Sequence, residues 1–174
     1  KTYHLLKEEQ KKFVENLNRI VDINNGTLKT IRRLSMQISA RNQITGIVEA
    51  IEMGTVNAEV HIKLKSNNIL VSIITNTAVQ NLDLEVGDEV IAIIKSSNVF
   101  ISTDESLQLS ARNKFQGIVD SINQGGINSE IVIDIGNGDK IVAIITTSSV
   151  NNLNIKEKSK VGAIIKASDV MIGR

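Results

Sequence analysis

A mainly β protein is the fold class that this 174-residue sequence predicts, with two tandem small β-barrels after an N-terminal amphipathic helical linker. Three observations predict it. An internal repeat covers everything after about residue 38, short strand-like runs separated by turn signals fill each copy, and the opening stretch follows a helical period instead.

The repeat is found by sliding the sequence against itself by 71 positions, Ser110 against Ser39, which aligns two segments without a gap. Ser39, Ala40, Arg41 and Asn42 fall on Ser110, Ala111, Arg112 and Asn113. Gly46-Ile47-Val48 matches Gly117-Ile118-Val119, Asn57 and Glu59 match Asn128 and Glu130, and Ile73-Ile74-Thr75 matches Ile144-Ile145-Thr146. The closing Ala92-Ile93-Ile94-Lys95 returns as Ala163-Ile164-Ile165-Lys166. Roughly 40% of aligned positions are identical, far above what shared composition produces. The spacing divides the chain into an N-terminal helical linker segment (1–37), a first barrel (38–104) and a second (105–174).

Strands are expected in copy one at Asn42 to Glu52, Ala58 to Lys65, Ile69 to Thr75, Glu89 to Lys95 and Val99 to Ile101. Ala58, Val60, Ile62 and Leu64 alternate with Glu59, His61 and Lys63, the period of a strand with one buried and one wet face. Ser66-Asn67-Asn68 and Gly136-Asn137-Gly138-Asp139 suit hairpin turns that need positive φ. Gly125-Gly126 reads as a further turn. Thr77 to Leu82 reads as one helical turn leading into Val86-Gly87-Asp88. About five strands and a short helix in each copy suggest a small closed barrel of the oligonucleotide/oligosaccharide-binding (OB) type, and closure would hide the edges of Ile- and Val-rich strands.

From Leu5 to Val21 the residues Leu6, Phe13, Leu17 and Ile20 recur at helical spacing, with Lys7, Glu8, Glu9, Lys11, Lys12 and Glu15 on the other face. Asn24-Asn25-Gly26 ends this helix, and Leu28, Ile31 and Leu34 continue an apolar stripe along a second, shorter one. The pattern starts almost at once without a cap, so the chain reads as the remainder of something longer.

Composition narrows the function classes. No apolar run approaches the 20 or so residues of a membrane-spanning helix, and no signal-peptide core opens the chain, so a cytoplasmic protein without a membrane partner is expected. The absence of cysteine excludes disulfides and thiolate metal sites. A net charge of +1 and an aromatic content of 2% offer neither a bulk field nor stacking platforms for nucleic acid. No enzymatic activity is expected. His4 and His61 are the only histidines, His61 reads as a surface residue, the carboxylates are scattered, and no phosphate-cradling or dinucleotide glycine motif occurs.

The repeated polar positions are instead donors to anions. Arg41 and Arg112 offer planar forks of N–H groups, Lys95 and Lys166 compact charges, and Ser39, Thr75, Ser110, Thr146 and Ser149 hydroxyls. Each stands at a strand end beside a turn, where backbone N–H groups are also free. A tetrahedral dianion needs several donors per oxygen, and this mixed set supplies them without overcharging the empty site. A strand-end Arg or Lys is by default a solvated charge, and repetition alone shows common ancestry of two modules.

At these residues the sequence resembles the Mop or TOBE modules of molybdate-binding proteins. The resemblance lies in S-A-R-N-Q at Ser39 to Gln43, G-x-V-x-x-I at Gly46 to Ile51, V-N-A-E at Val56 to Glu59, I-I-T at Ile73 to Thr75, and the I-I-K segments around Lys95 and Lys166. It implies OB-like barrels that associate and hold molybdate or tungstate between modules. L-L-K-E-E-Q-K-K-F at Leu5 to Phe13 and R-R-L-S-M-Q-I-S-A-R-N-Q at Arg32 to Gln43 look like the stretch that joins the two parts of ModE-type transcriptional regulators. Those carry a winged helix-turn-helix first, which is not in this chain, so any DNA contact would come through that domain alone.

The resemblance implies molybdate-binding positions at Ser39, Ala40, Arg41, Asn42, Thr75, Ala78, Lys95 and Ser96 in copy one, and at Ser110, Arg112, Thr146, Ser149 and Lys166 in copy two. Ala78 stands where the family commonly has a serine and where copy two has Ser149, which implies a weaker first site or recruitment of Thr77. Copy two also has Lys158-Ser159 in place of Gly87-Asp88. The expected function is the oxyanion-sensing effector part of a molybdate-responsive regulator, homodimeric through the helix and the barrels. Molybdenum storage of the molbindin kind and single-stranded nucleic-acid binding are the alternatives.

Overall fold

The computed structural model describes residues 21–22, 27–28 and 38–174. They belong to two units, divided between Ser39 and Ala40. In the first unit β1 (Val21–Asp22) pairs antiparallel with β2 (Thr27–Leu28), Val21 opposite Leu28 and Asp22 opposite Thr27. The helical reading of Val21 and Leu28 is therefore corrected. The two residues, read at helical spacing on either side of Asn24-Asn25-Gly26, face one another in a two-rung ladder, and short apolar runs do not separate helix from strand by period alone. The remaining positions of the two expected helices, Leu6, Phe13, Leu17, Ile20, Ile31 and Leu34, lie outside the described residues.

The second unit is built from the two repeats. Copy one contributes β3 (Asn42–Met53), β4 (Asn57–Leu64), β5 (Ile69–Thr75), α1 (Asn76–Asn81), β6 (Glu89–Ile94) and β7 (Val99–Ser102). Copy two contributes β8 (Asn113–Gln124), β9 (Asn128–Gly136), β10 (Asp139–Thr146), α2 (Thr147–Asn152), β11 (Lys160–Ile165) and β12 (Val170–Gly173). A 3-10 turn, Ser96–Asn98 or Ala167–Asp169, precedes the last strand of each copy. The strands follow the expected hydrophobic runs, and β4 alternates as read, with Ala58, Val60, Ile62 and Leu64 buried.

Those last strands change places. One five-stranded sheet has the order β5-β4-β3-β6-β12 and the other β10-β9-β8-β11-β7. Val170 of copy two thus sits opposite Ile94 of copy one, and Val99 of copy one opposite Ile165 of copy two. Each exchange covers the open edge of β6 or β11, the hazard that barrel closure was expected to remove. Both sheets curl, as OB-like barrels require. The twelve-residue β3 turns from β6 to β4 through a bulge between Val48 and Ala50, and β8 does so between Val119 and Ser121. At the crossover a Cβ on Gly46 would lie 2.4 Å from Ile62 Cγ2 and 2.8 Å from the Lys63 carbonyl oxygen, so only glycine lets the strands approach there. The free edge of β5 is drawn to β12 by Ser72, whose Oγ donates to the Val170 carbonyl at 2.6 Å.

Inside the curls lie Val48, Val60, Ile62, Leu70, Val90 and Ile94, matched by Val119, Ile131, Ile133, Ile141, Val161 and Ile165, all essentially inaccessible. Burial of each stabilises the fold by roughly 1.5–3 kcal/mol. The turns behave as their residues predict: Asn67 has φ 63°, Asn137 φ 50° and Gly138 φ 82°. Lys158 holds φ 69° where Gly87 holds φ 97°, so copy two keeps the same turn with a residue that resists it. The side chain one residue on closes both turns, Asp88 accepting from the Glu85 N–H and Ser159 Oγ from the Lys156 N–H. No helix among the described residues is long and apolar enough to cross a membrane.

Two buried asparagines lock one repeat to the other. Asn113 Oδ1 accepts from the Val71 N–H at 2.7 Å while its Nδ2 donates to the Val71 carbonyl at 2.8 Å. Asn42 grips Val142 the same way, at 2.6 and 2.8 Å. Each amide thus satisfies one residue on the outer edge of the other repeat's β5 or β10. The hairpin turns add a second seam, where Asp139 accepts from the Ser66 N–H and Asn137 donates to the Lys65 carbonyl.

Replacing Asn113 with alanine leaves the buried Val71 N–H and carbonyl unpaired and should lower unfolding free energy by about 2–4 kcal/mol in urea denaturation. Lys158→Gly relieves the positive φ and should raise stability by up to about 1 kcal/mol in the same measurement.

Candidate functional site

The motif residues take their places from strand register. Asn42 opposes Ile94 at the last rung between β3 and β6, so Arg41 and Lys95 are the next pair beyond the ladder and emerge together at one end of the sheet. Arg112 and Lys166 stand in the same relation beyond Asn113 and Ile165. Both arginines and both lysines are exposed. Ser110, Ala111 and Lys166 share a groove of about 510 Å³ with Phe100, Leu153 and Ile164. Asp104 lies on the same groove, and its carboxyl is held below the usual range by the Ser106 hydroxyl and, less strongly, the Ser106 backbone N–H.

Thr75 and Thr146 stand elsewhere in their own repeats. They oppose Asn57 and Asn128, beyond the far end of β3 and β8 from the arginines. Each caps the short helix that follows, Thr75 Oγ1 accepting from the Ala78 N–H and Thr146 Oγ1 from the Ser149 N–H, both at 3.1 Å. In copy two the Thr146 and Ser149 hydroxyls also lie 2.7 Å apart, a pair that Ala78 cannot form in copy one. The donors that the sequence assigns to one repeat are therefore not gathered by that repeat.

The two arginines reach across to the opposite repeat. Arg41 donates from Nε and Nη2 to Glu130 Oε2, at 2.9 and 2.5 Å, and Glu130 lies on β9 of copy two. Arg112 reciprocates with Glu59 on β4 of copy one. Glu130 opposes Ile144, two residues from Thr146, and Glu59 opposes Ile73, two residues from Thr75. Two residues along a strand span about 7 Å. Arg41 is accordingly tied to a residue opposite Ile144, two positions before Thr146 of copy two, and Arg112 to one opposite Ile73, two positions before Thr75 of copy one.

The remaining expected positions divide by role. The Asn42 amide is engaged by Val142 and, at 3.3 Å, the Ile94 carbonyl, which leaves its backbone N–H and carbonyl as its other polar groups. Ser96 is buried at the first position of its 3-10 turn, Ala40 is half-buried, and Ser39 is exposed. His61 is not the plain surface residue that its strand face suggests. Its side chain is half-buried, with Nε2 3.1 Å from Glu59 and 3.5 Å from Glu52. Glu52, Glu59 and His61 converge as cation ligands do, but Arg112 already neutralises Glu59 and disfavours a cation there. Sequence reasoning assigned no role to Glu59 and Glu130. Their signal was present in the repeat, as the one acid that is identical in both copies.

A Thr146→Val substitution removes the cap of α2 and should cost about 1 kcal/mol of stability, measurable as a lowered melting temperature.

Comparison with known proteins points one way. Residues 38–101 and 109–172 each match the TOBE domain. The molybdenum transport protein ModE of Azotobacter vinelandii is 34% identical over 98% of this chain and 65% of its own length. A probable molybdenum-pterin-binding protein of Haemophilus influenzae is 49% identical over 40% of this chain and 100% of its own. The solved structure of the cytoplasmic molybdate-binding protein ModG with molybdate bound superposes with TM-score 0.76 at 38% identity, over 79% of this chain and 99% of that one. The chain spans 65%, 53% and 55% of the length of three curated relatives, two ModE proteins and a MopA.

Proposed function

The chain belongs to the TOBE domain family, and on that premise we propose that it binds molybdate or tungstate as the oxyanion-sensing part of a molybdate-responsive regulator. The observation that carries the reading is the crossed pairing of Arg41 with Glu130 and of Arg112 with Glu59, each acid lying opposite a residue two positions before the Thr that caps the next helix. Arg41, Lys95, Thr146 and Ser149 form one donor set. Arg112, Lys166, Ser110 and Thr75 form the other, in which the Ala78 position offers no hydroxyl. The backbone N–H groups of Ala40 and Ser96 complete the first set, while Asn42 fixes its position through the seam.

A dianion shared by two repeats stabilises whichever packing holds it, so binding energy is converted into a preference for one arrangement of the barrels. The likeness to a transcriptional regulator ModE supports the regulatory setting, in which a homodimer would respond to that preference, and the ModG likeness supports a cytoplasmic one. No catalytic step is assigned, since the relatives are described by what they bind or transport.

Calorimetric titration with sodium molybdate should give submillimolar or tighter binding, with sulfate as the control anion. Absence of both heat and thermal stabilisation at millimolar molybdate would sink the reading. Arg41→Ala and Lys95→Ala should each weaken binding by about 1.5–3 kcal/mol, the range of a charge-assisted hydrogen bond.

A further inference from the structure

Glu59 and Glu130 are matched in the two repeats and face the arginine of the opposite one. In both pairs the acid is the anchored partner, with side chains 23% exposed against 60% for Arg41 and 54% for Arg112. Exposed ion pairs contribute little to stability, so the appearance of the same crossed pair twice calls for another account. A guanidinium carries five N–H donors. Glu130 occupies Nε and one donor of Nη2 on Arg41, which leaves the Nη1 end and a second Nη2 proton directed away from the acid. A long, exposed arginine otherwise samples many rotamers, and any anion that recruits it must freeze them.

We propose that Glu59 and Glu130 are positioning residues for oxyanion binding, each holding the arginine of the opposite repeat with its free N–H edge presented to the anion. The inference rests on the oxyanion-binding reading above and deepens it. Positioning comes from length and acceptor geometry, and charge alone does not supply it. A carboxylate on a shorter stem keeps the charge but loses the reach, whereas glutamine keeps the reach and one accepting oxygen. The two arms are not equal. Glu59 is also flanked by His61 and Glu52, whose counterparts are Val132 and Asn123, so Glu130 restrains Arg41 with fewer neighbours and is the cleaner arm to test.

The full chain and its Glu130→Asp and Glu130→Gln variants are titrated with sodium molybdate by calorimetry, and the Arg41 Nε–H resonance is followed by nitrogen-15 NMR. Glu130→Asp is expected to weaken molybdate binding about three- to tenfold, the cost of one side chain left to be immobilised, and to return the Arg41 Nε–H to rapid solvent exchange. Glu130→Gln is expected to keep the protected resonance and more of the affinity. Unchanged or tighter binding in Glu130→Asp would overturn the proposal by making the acid a bystander or a competitor of the anion. Weakened binding with an undisturbed Arg41 resonance would overturn it too, because the acid would then act by another route. If the unaltered chain binds no molybdate, the functional reading itself falls; if it binds and the variants behave otherwise than stated, only the positioning role does.

Discussion

Two buried amides set the terms for everything else in the second unit. An asparagine inside a barrel seam must have its oxygen and its nitrogen satisfied, and Asn42 and Asn113 find one residue each that offers both a free N–H and a free carbonyl, on the outer edge of the opposite repeat. That requirement fixes how β3 lies against β10 and β8 against β5. It also fixes the residue before each asparagine. Arg41 and Arg112 cannot wander far from the opposite repeat, because the next backbone unit is pinned there. The S-A-R-N motif is thus a joint whose last residue fastens the seam and whose third reaches across it.

The exchange of β7 and β12 makes the joint hard to undo. Each sheet is completed by a strand from the other repeat, so neither copy can bury its edge without its neighbour. Separating the repeats would expose the edges of β6 and β11 as well as the asparagine amides. Any anion bound by donors from both repeats therefore acts on a scaffold already committed to one packing. Its leverage falls on the side chains at the seam and on how such units meet one another.

Similar backbones nevertheless carry different side chains at matching places. Ser149 adds a hydroxyl beside Thr146 where Ala78 adds none beside Thr75. His61 crowds Glu59 where Val132 leaves Glu130 alone. Lys158 accepts a turn geometry that Gly87 adopts freely. Duplication preserved the joint and let its surroundings diverge, so the two repeats differ in the polar groups beside their matching Arg–Glu pairs.

Much was readable from the residues alone. Period-two alternation in Ala58 to Leu64, turn signals at Asn67 and Gly138, and a 71-residue repeat settle the strands and the kinship of the two copies, because these are local properties of the chain. The donor types were legible for the same reason. The reading failed at Val21 and Leu28, which were read at helical spacing and pair as strands, because the period of a short apolar run does not separate the two. Strand exchange, the partners of Asn42 and Asn113, and the crossed Arg–Glu pairs were decided only by the tertiary structure. Each depends on which strand edges meet, and two repeats of nearly equal pattern could satisfy those edges within a copy or between copies. Sequence determined that two kindred modules carry the same polar residues at matching places; the folded chain decided that the arginine of each is held by the other, because strand exchange and burial of the asparagine amides join opposite repeats.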